Sequence, residues 1–420
     1  MLVAVVMLFV VGAMAALSID VVTLYTARSE AQLAADGAAL AGARVLANSG
    51  MTSDPTGGLT ASAQVLATKV ATQVAQQNEV GGSAAGVTVN YGGSTTNPLV
   101  TVRVQRTDLP TFFARIWGRQ RLTVGASATA EAYNPSGTNI LGNPKIPVAP
   151  ICVKPWLLPN IDPSNTVTPG SPIFDATSGA IRTTTLLGWV APPGGRLRTD
   201  CTTCAADSAP VAWRYYPGDP ADFPPPRASS VVCPGCTGFT NPNYQLSIAG
   251  CVQMPISCSS PIASQVHIDQ TPDGVRDTET RQAVDGLTHS TASEGDSVDT
   301  TAATPPTGSA PFQFLAGADN PVVLSGALAA GTDIMVSDSL VTVPVINVDS
   351  TTPFPLASFP SVQIIGFVQL FLNPTGTAAP PTGYIHTQVI NMVGCGTGIA
   401  GQQPILGNGA SPVAVRLISP

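Results

Sequence analysis

The chain reads as an α+β protein: an N-terminal transmembrane helix runs into a small α+β domain, and a β-rich, disulfide-containing domain follows. Three observations lead there. One helical pattern runs unbroken from Met1 to Ala47, and its opening stretch is wholly apolar. Helical spacing then gives way to period-two alternation before residue 134. All eight cysteines lie beyond residue 150, in a stretch rich in Gly, Pro, Ser and Thr.

Met1 to Leu17 carries no charge and no proline, and the apolar run continues through Ile19 before Asp20 supplies the first carboxylate. About 20 such residues in a helix span a bilayer core. A cleaved signal peptide has a shorter apolar core and ends at a small-residue site. Ala13-Met14-Ala15 and Ala15-Ala16-Leu17 are weak sites of that kind, and the helical pattern passes straight through them. Residues 1–19 are therefore read as a retained anchor. No Lys or Arg precedes the run, so orientation is not read from flanking charge. An outside location for the bulk rests on resemblance, cysteine usage and composition.

Past the anchor, Ala recurs at 31, 34, 35, 38, 39, 41 and 43, interrupted by Asp36, Gly37 and Gly42. Small residues let helices approach closely. The segment from the apolar span through Ser18-Ile19-Asp20-Val21 and Leu24-Tyr25-Thr26-Ala27-Arg28 into Ala34-Ala35-Asp36-Gly37-Ala38-Ala39-Leu40-Ala41-Gly42-Ala43 resembles the N-terminal region of TadG-like Flp pilus-assembly proteins. The resemblance covers about fifty residues. The basic, Gly-containing leader usual in that family is not seen ahead of the span, so prepilin-type processing is not carried over. Helix packing is expected at Gly12, Ala16, Ala35, Ala39 and Gly42.

Leu59, Ala63, Leu66, Val70 and Val74 recur at three- and four-residue intervals and predict a helix over 59–77, ended by Gly81-Gly82. Val87, Val89 and Tyr91, then Val100, Val102 and Val104, alternate with polar neighbours and predict two strands separated by the loop 92–98. Pro110 to Trp117 is expected as a short helix with Phe112, Phe113, Ile116 and Trp117 on one face. A third strand places Leu122, Val124, Ala126, Ala128 and Ala130 on one side. A long helix against a small sheet is similar to a pseudopilin-like plan, an analogy that assigns residues 20–134 to a pseudopilin-like α+β domain.

Residues 135–150 read as a linker, and 151–420 as a β-rich extracytoplasmic domain without a convincing amphipathic helix. Val341, Val343 and Val345, the run Val362–Leu372, and Tyr384–Met392 are its clearest strands, and the latter two look similar to closing strands of TadG-like proteins. Gly366 within the second suggests a bulge or a close backbone approach. Residues 259–311 turn polar and acidic and are expected as an insertion.

A net charge of −7 with only 10% charged residues supplies no Lys/Arg cluster for phosphate contacts, which argues against nucleic acid as a partner. Cys152, Cys201, Cys204, Cys233, Cys236, Cys251, Cys258 and Cys395 suit a disulfide framework in an oxidising compartment, and 105 pairings stay open. Cys201-Thr-Thr-Cys204 and Cys233-Pro-Gly-Cys236 also have the spacing of a tetrahedral zinc site. Zinc ranks below disulfides for an exported chain, and a redox-active CxxC ranks below both. If the two CxxC pairs are set apart for zinc, Cys152, Cys251, Cys258 and Cys395 are left to pair among themselves.

Between His267 and Asp299 stand His267, His289 and the acids Asp269, Asp273, Asp277, Glu279, Asp285, Glu294, Asp296 and Asp299. Their spacing lacks the alternation and terminal Glu of an EF-hand, so a solvated acidic loop is preferred to calcium binding. Some TadG-like proteins carry a von Willebrand A domain with an Asp-x-Ser-x-Ser metal loop. Asp162-Pro-Ser-Asn-Thr166 departs at the last position, and that site is not carried over. Phosphate-loop, HExxH and GxSxG patterns are absent from the sequence. Gly295-Asp296-Ser297 lies in the polar insertion, and His386 is expected as an ordinary sheet histidine.

The resemblance implies a non-enzymatic, single-pass protein of the bacterial cytoplasmic membrane, with its bulk periplasmic or extracellular. It would assist Flp/Tad-type pilus assembly, with pilus subunits or other assembly proteins as partners and no cofactor. The alternative is a surface-exposed binding or adhesion protein sharing the anchor region.

Overall fold

The structure, a computed structural model, describes residues 2–54, 56–111, 121–136, 145–164, 170–183, 196–198, 213–227, 238–258, 277–289, 295–298, 314–334, 336–347, 362–372, 384–396, 403–407 and 411–419. Helix α1 (Leu2–Asn48) is one element of 47 residues. At ~1.5 Å per residue it is ~70 Å long. A 3₁₀ turn (Met51–Ser53) and α2 (Thr60–Gln77) follow. Gly81 and Gly82 both take positive φ in the turn beyond α2, where glycine avoids the steric cost of a Cβ.

Strands β1 (Gly86–Gly93), β2 (Pro98–Pro110) and β3 (Arg121–Tyr133) form an antiparallel meander. Val100, Val102 and Val104 are buried toward the helices, while Thr101, Arg103 and Gln105 face the other way. The order expected from residues 20 to 134 is thus present as α1, α2, β1, β2 and β3. The expected short helix from Pro110 to Trp117 lies outside the described residues from Phe112 on; Pro110 ends β2 and Thr111 follows it, buried and outside any helix.

Within the expected linker, β4 (Val148–Ala149) pairs in parallel with β15 (Ile405–Leu406). A mixed seven-stranded sheet follows. Its strands are β5 (Trp156–Pro159), β6 (Arg196–Arg198), β7 (Trp213–Arg214), β8 (Tyr216–Pro217), β12 (Leu340–Ile346), β13 (Ile364–Leu372) and β14 (Tyr384–Gly394), in the order β7-β6-β14-β13-β12-β5-β8. Every residue of β12 and β13 is buried, the state that near-continuous apolar runs describe when both sheet faces are covered. Gly366 answers its expectation twice. The β12–β13 register shifts beside it, and a Cβ there would meet the Phe174 ring at 2.5 Å.

Three features depart from the sequence reading. The second region does hold helices: α3 (Pro242–Ala249) and α4 (Asp277–Leu287) pack together, and a short α5 (Pro321–Leu324) follows. In α4, Thr280, Ala283, Val284 and Leu287 are buried at true helical spacing. The polar composition of 259–311 masked that pattern. Within the same stretch β9 (Ser297–Val298) pairs with β10 (Phe314–Leu315), which pairs with β11 (Asp333–Ile334).

The second departure concerns α2. Its fully buried face is Ala63, Ala67, Ala71 and Ala75, with Leu66, Val70 and Val74 only partly covered at its flanks. Alanines facing the Ala stripe of α1 let the two helix backbones approach closely. The third departure is β16 (Ala414–Ser419), the last strand of the chain, which pairs antiparallel with β3 and so completes the first sheet in the order β1-β2-β3-β16. Arg416 holds that edge through Glu131 at 2.9 Å and lies 5.5 Å from the Tyr133 ring centroid.

Candidate anchor and helix-packing site

Helix α1 has two halves with opposite surroundings. In the first, Val3, Leu8, Val11 and Met14 are exposed, and apolar exposure continues through Val22 and Tyr25. In the second, Ala27, Ala31, Ala34, Ala35, Ala38, Ala39 and Ala43 are buried against α2 and the first sheet. Among the described residues, one helix is long and apolar enough to cross a membrane, and it is α1.

The residues singled out for helix packing fall on both sides of that divide. Gly12 is exposed, with nothing within 4 Å of a Cβ built on it, and Ala16 is half-buried. Ala35 and Ala39 are fully buried inside the chain's own fold. At Gly42 a Cβ would lie 3.1 Å from Val100 Cγ1 and 3.4 Å from Ala71 Cβ, so glycine admits β2 and α2 to the helix together. Lower down, Glu30 Oε2 accepts from Gly81 N at 2.6 Å, and Arg106 Nη1 donates to Gly81 O at 2.7 Å.

The upper end of α1 meets the seven-stranded sheet through buried polar groups. Asn391 Nδ2 donates to Ala47 O and to Gln369 Oε1, each at 2.6 Å. Ser53 Oγ donates to Met392 O at 2.9 Å and accepts from Met392 N at 2.8 Å. Asn134 Nδ2 donates to Thr52 O and Met392 O, both at 3.0 Å. Buried amides and hydroxyls satisfied by one another specify a single arrangement of the groups they join. Sequence reading missed this junction, because polar residues at strand and turn positions carry no signal of burial until a partner surface covers them.

Two disulfides are described, Cys152–Cys251 and Cys258–Cys395, with Cα–Cα distances of 4.5 and 5.2 Å. They bind the segment 251–258 to the start of the second region and to the residue after β14. Among the described cysteines none is free. Cys201, Cys204, Cys233 and Cys236, with the zinc alternative they carry, lie outside the described residues.

Lys154, two residues from Cys152, is buried. Its Nζ donates to Ile248 O at 2.5 Å and Gly250 O at 2.6 Å, closing the C-terminal end of α3. Loss of water lowers its pKa to about 7, with Asp338 partly opposing the shift. A neutral amine still has protons for both carbonyls.

Asp296 is buried and accepts from Gly317 N, Asn320 Nδ2 and Ser337 Oγ. Asp162 accepts from Ser164 N at 2.8 Å and from the Thr183 hydroxyl. His386 is half-buried in β14 opposite Arg196 of β6. His289 Nε2 lies 3.0 Å from Asp338 Oδ2. His267, Asp269, Asp273, Glu294 and Asp299 lie outside the described residues, and among those described no His, Cys, Asp and Glu gather into a metal-binding group.

An apolar N-terminal helix, mixed helix and sheet, and two stapling disulfides define an α+β protein whose first helix fits a membrane anchor. Residues 1–45, the exposed half of α1 together with most of its Ala-rich half, match the TadE/G-like Flp pilus-assembly family. No curated protein and no solved structure matches the chain.

Proposed function

We propose that this is a non-enzymatic envelope protein, held in the cytoplasmic membrane by residues 1–19 and assisting Flp/Tad-type pilus assembly from outside it. The observation that carries the reading is the coincidence of the family match with the two-sided character of α1. The exposed apolar half suits lipid and neighbouring helices, and Gly12 and Ala16 are the positions where small side chains would admit another helix. The buried half makes the anchor part of the fold beyond it, so a load on the helix reaches the outer sheets without a flexible joint.

In this reading residues 20–134 are a pseudopilin-like α+β domain closed by the chain's last strand. The 151–420 region is the extracytoplasmic part that meets pilus subunits or other assembly proteins. Disulfides suit that oxidising side of the membrane. The test is electron microscopy of surface pili in a strain lacking this gene and in one complemented with the full-length chain. Loss of pili with restoration by the gene supports assembly. Normal pili in the deletion strain would overturn it in favour of an independent surface-binding or adhesion protein that shares the anchor.

A further inference from the structure

The connection between β10 and β11 is a closed apolar protrusion. Ala316 N donates to Thr332 O at 2.9 Å and Gly331 N to Ala316 O at 2.8 Å, so the chain leaves and re-enters the body at one point. Excursions of this Ω type, with ends together and their own internal hydrogen bonds, often carry function. Inside it, Asn320 Oδ1 accepts from Val322 N at 2.9 Å, and the amides of Ser325, Gly326 and Ala327 return to carbonyls of Pro321, Val323 and Val322. At the neck the buried Asp296 carboxylate accepts from Gly317 N and Asn320 Nδ2, both at 2.9 Å, and from Ser337 Oγ at 2.6 Å. The loop is therefore pre-organised.

What it presents is apolar. Val322 is 49% exposed and Leu324 67%, with Val336, just beyond the neck, also at 67%. No charged residue lies between Asp319 and Asp333. Apolar groups gathered in one place mark a contact surface where singly scattered ones do not, and Val322 and Leu324 share the short helix α5.

Its surroundings are anionic. Asp333 and Asp338 are exposed beside it. Between Arg281 and Arg416 the sequence holds eight carboxylates and no Lys or Arg, against a net charge of −7 for the whole chain. The excess negative charge of the protein thus resides in the stretch that contains this loop. The exposed carboxylates of Asp333 and Asp338 at the base of the loop attract a partner with cationic groups at its rim and disfavour both an anionic lipid surface and the same face of a second copy.

We propose that the Gly317–Gly331 loop is a docking knob for an envelope protein that offers an apolar pocket edged by Lys and Arg. The contact itself stands on the loop and its charge; that the partner is an envelope protein rests on the extracytoplasmic location in the proposed function. The experiment places the photoreactive residue p-benzoylphenylalanine at Leu324 in the full-length chain, in the native host. The same probe at Leu406, exposed and apolar elsewhere, is the control. Mass spectrometry identifies the attached peptide, and the crosslink is repeated with Asp333→Lys and Asp338→Lys, and with Asp333→Asn alone should the double variant melt early.

The expected result is an adduct at 324 and not at 406, on an apolar peptide flanked by Lys or Arg. Its yield should fall about 10-fold on charge reversal and by less with Asp333→Asn. An adduct to this same chain or to lipid, a peptide without basic residues, indifference to the charge changes, or no adduct at all would overturn the proposal.

Discussion

Asn391 Nδ2 donates to the carbonyl oxygen of Ala47 at 2.6 Å, joining the last turn of α1 to a strand of the seven-stranded sheet. The same amide reaches Gln369 Oε1 on the neighbouring strand. One side chain thereby ties α1 to two strands that lie more than 300 residues away in sequence.

Asn391→Ala removes the donor to both oxygens inside a buried junction. Leaving buried acceptors short of a partner costs about 1–3 kcal/mol. Thermal unfolding of the full chain in detergent should show a transition several degrees lower than wild type. An unchanged transition would mean that the junction contributes no stability.

Gly42 and Gly12 should respond oppositely to the same change. Gly42→Val forces methyl groups against Val100 and Ala71, and overpacking of this kind costs about 1–3 kcal/mol. Gly12→Val meets nothing within the chain and should leave the melting temperature unaltered. Equal loss of stability in both variants would contradict the division of α1 into a free and a packed half.

Lys154 predicts a pH dependence. Its folded pKa, about 7, lies below the ordinary lysine value of 10.5. Between those values the unfolded chain binds a proton that the folded chain does not, so stability rises with pH. Its contribution is complete above pH ~10.5 and is lost as pH falls through about 7, with a slope of up to ~1.4 kcal/mol per pH unit. Denaturant titrations at pH 7 and 9 check this, and Lys154→Met should flatten the difference. A wild-type protein equally stable at both values would show that Lys154 stays charged.

Cys258→Ser with Cys395→Ser removes a link that spans 137 residues of sequence. Loss of a native disulfide typically costs about 2–5 kcal/mol. The variant should melt earlier than wild type under oxidising conditions, and the difference should vanish when both proteins are reduced. Oxidised wild type and double variant melting together would show that this bond adds no stability.

Elements whose evidence is local were legible without the fold. Helix α1, β1 to β3 and β12 to β14 announce themselves through spacing or unbroken apolar runs, and the family match falls on the segment whose Ala and Gly pattern suggested it. Helix α4 carried its own spacing as well, but charged residues on its outer face obscured the buried one.

Periodicity along a strand says nothing about which strand lies beside it, so the return of β16 to β3 was decided by tertiary packing. For the same reason the pairing of Cys152 with Cys251 and of Cys258 with Cys395 came from the approach of their backbones, since sequence left 105 pairings equivalent. Asn391, Ser53, Asn134 and Lys154 are ordinary polar residues in the sequence. They became structural only where folding removed water and left one another, or a helix end, as their partners.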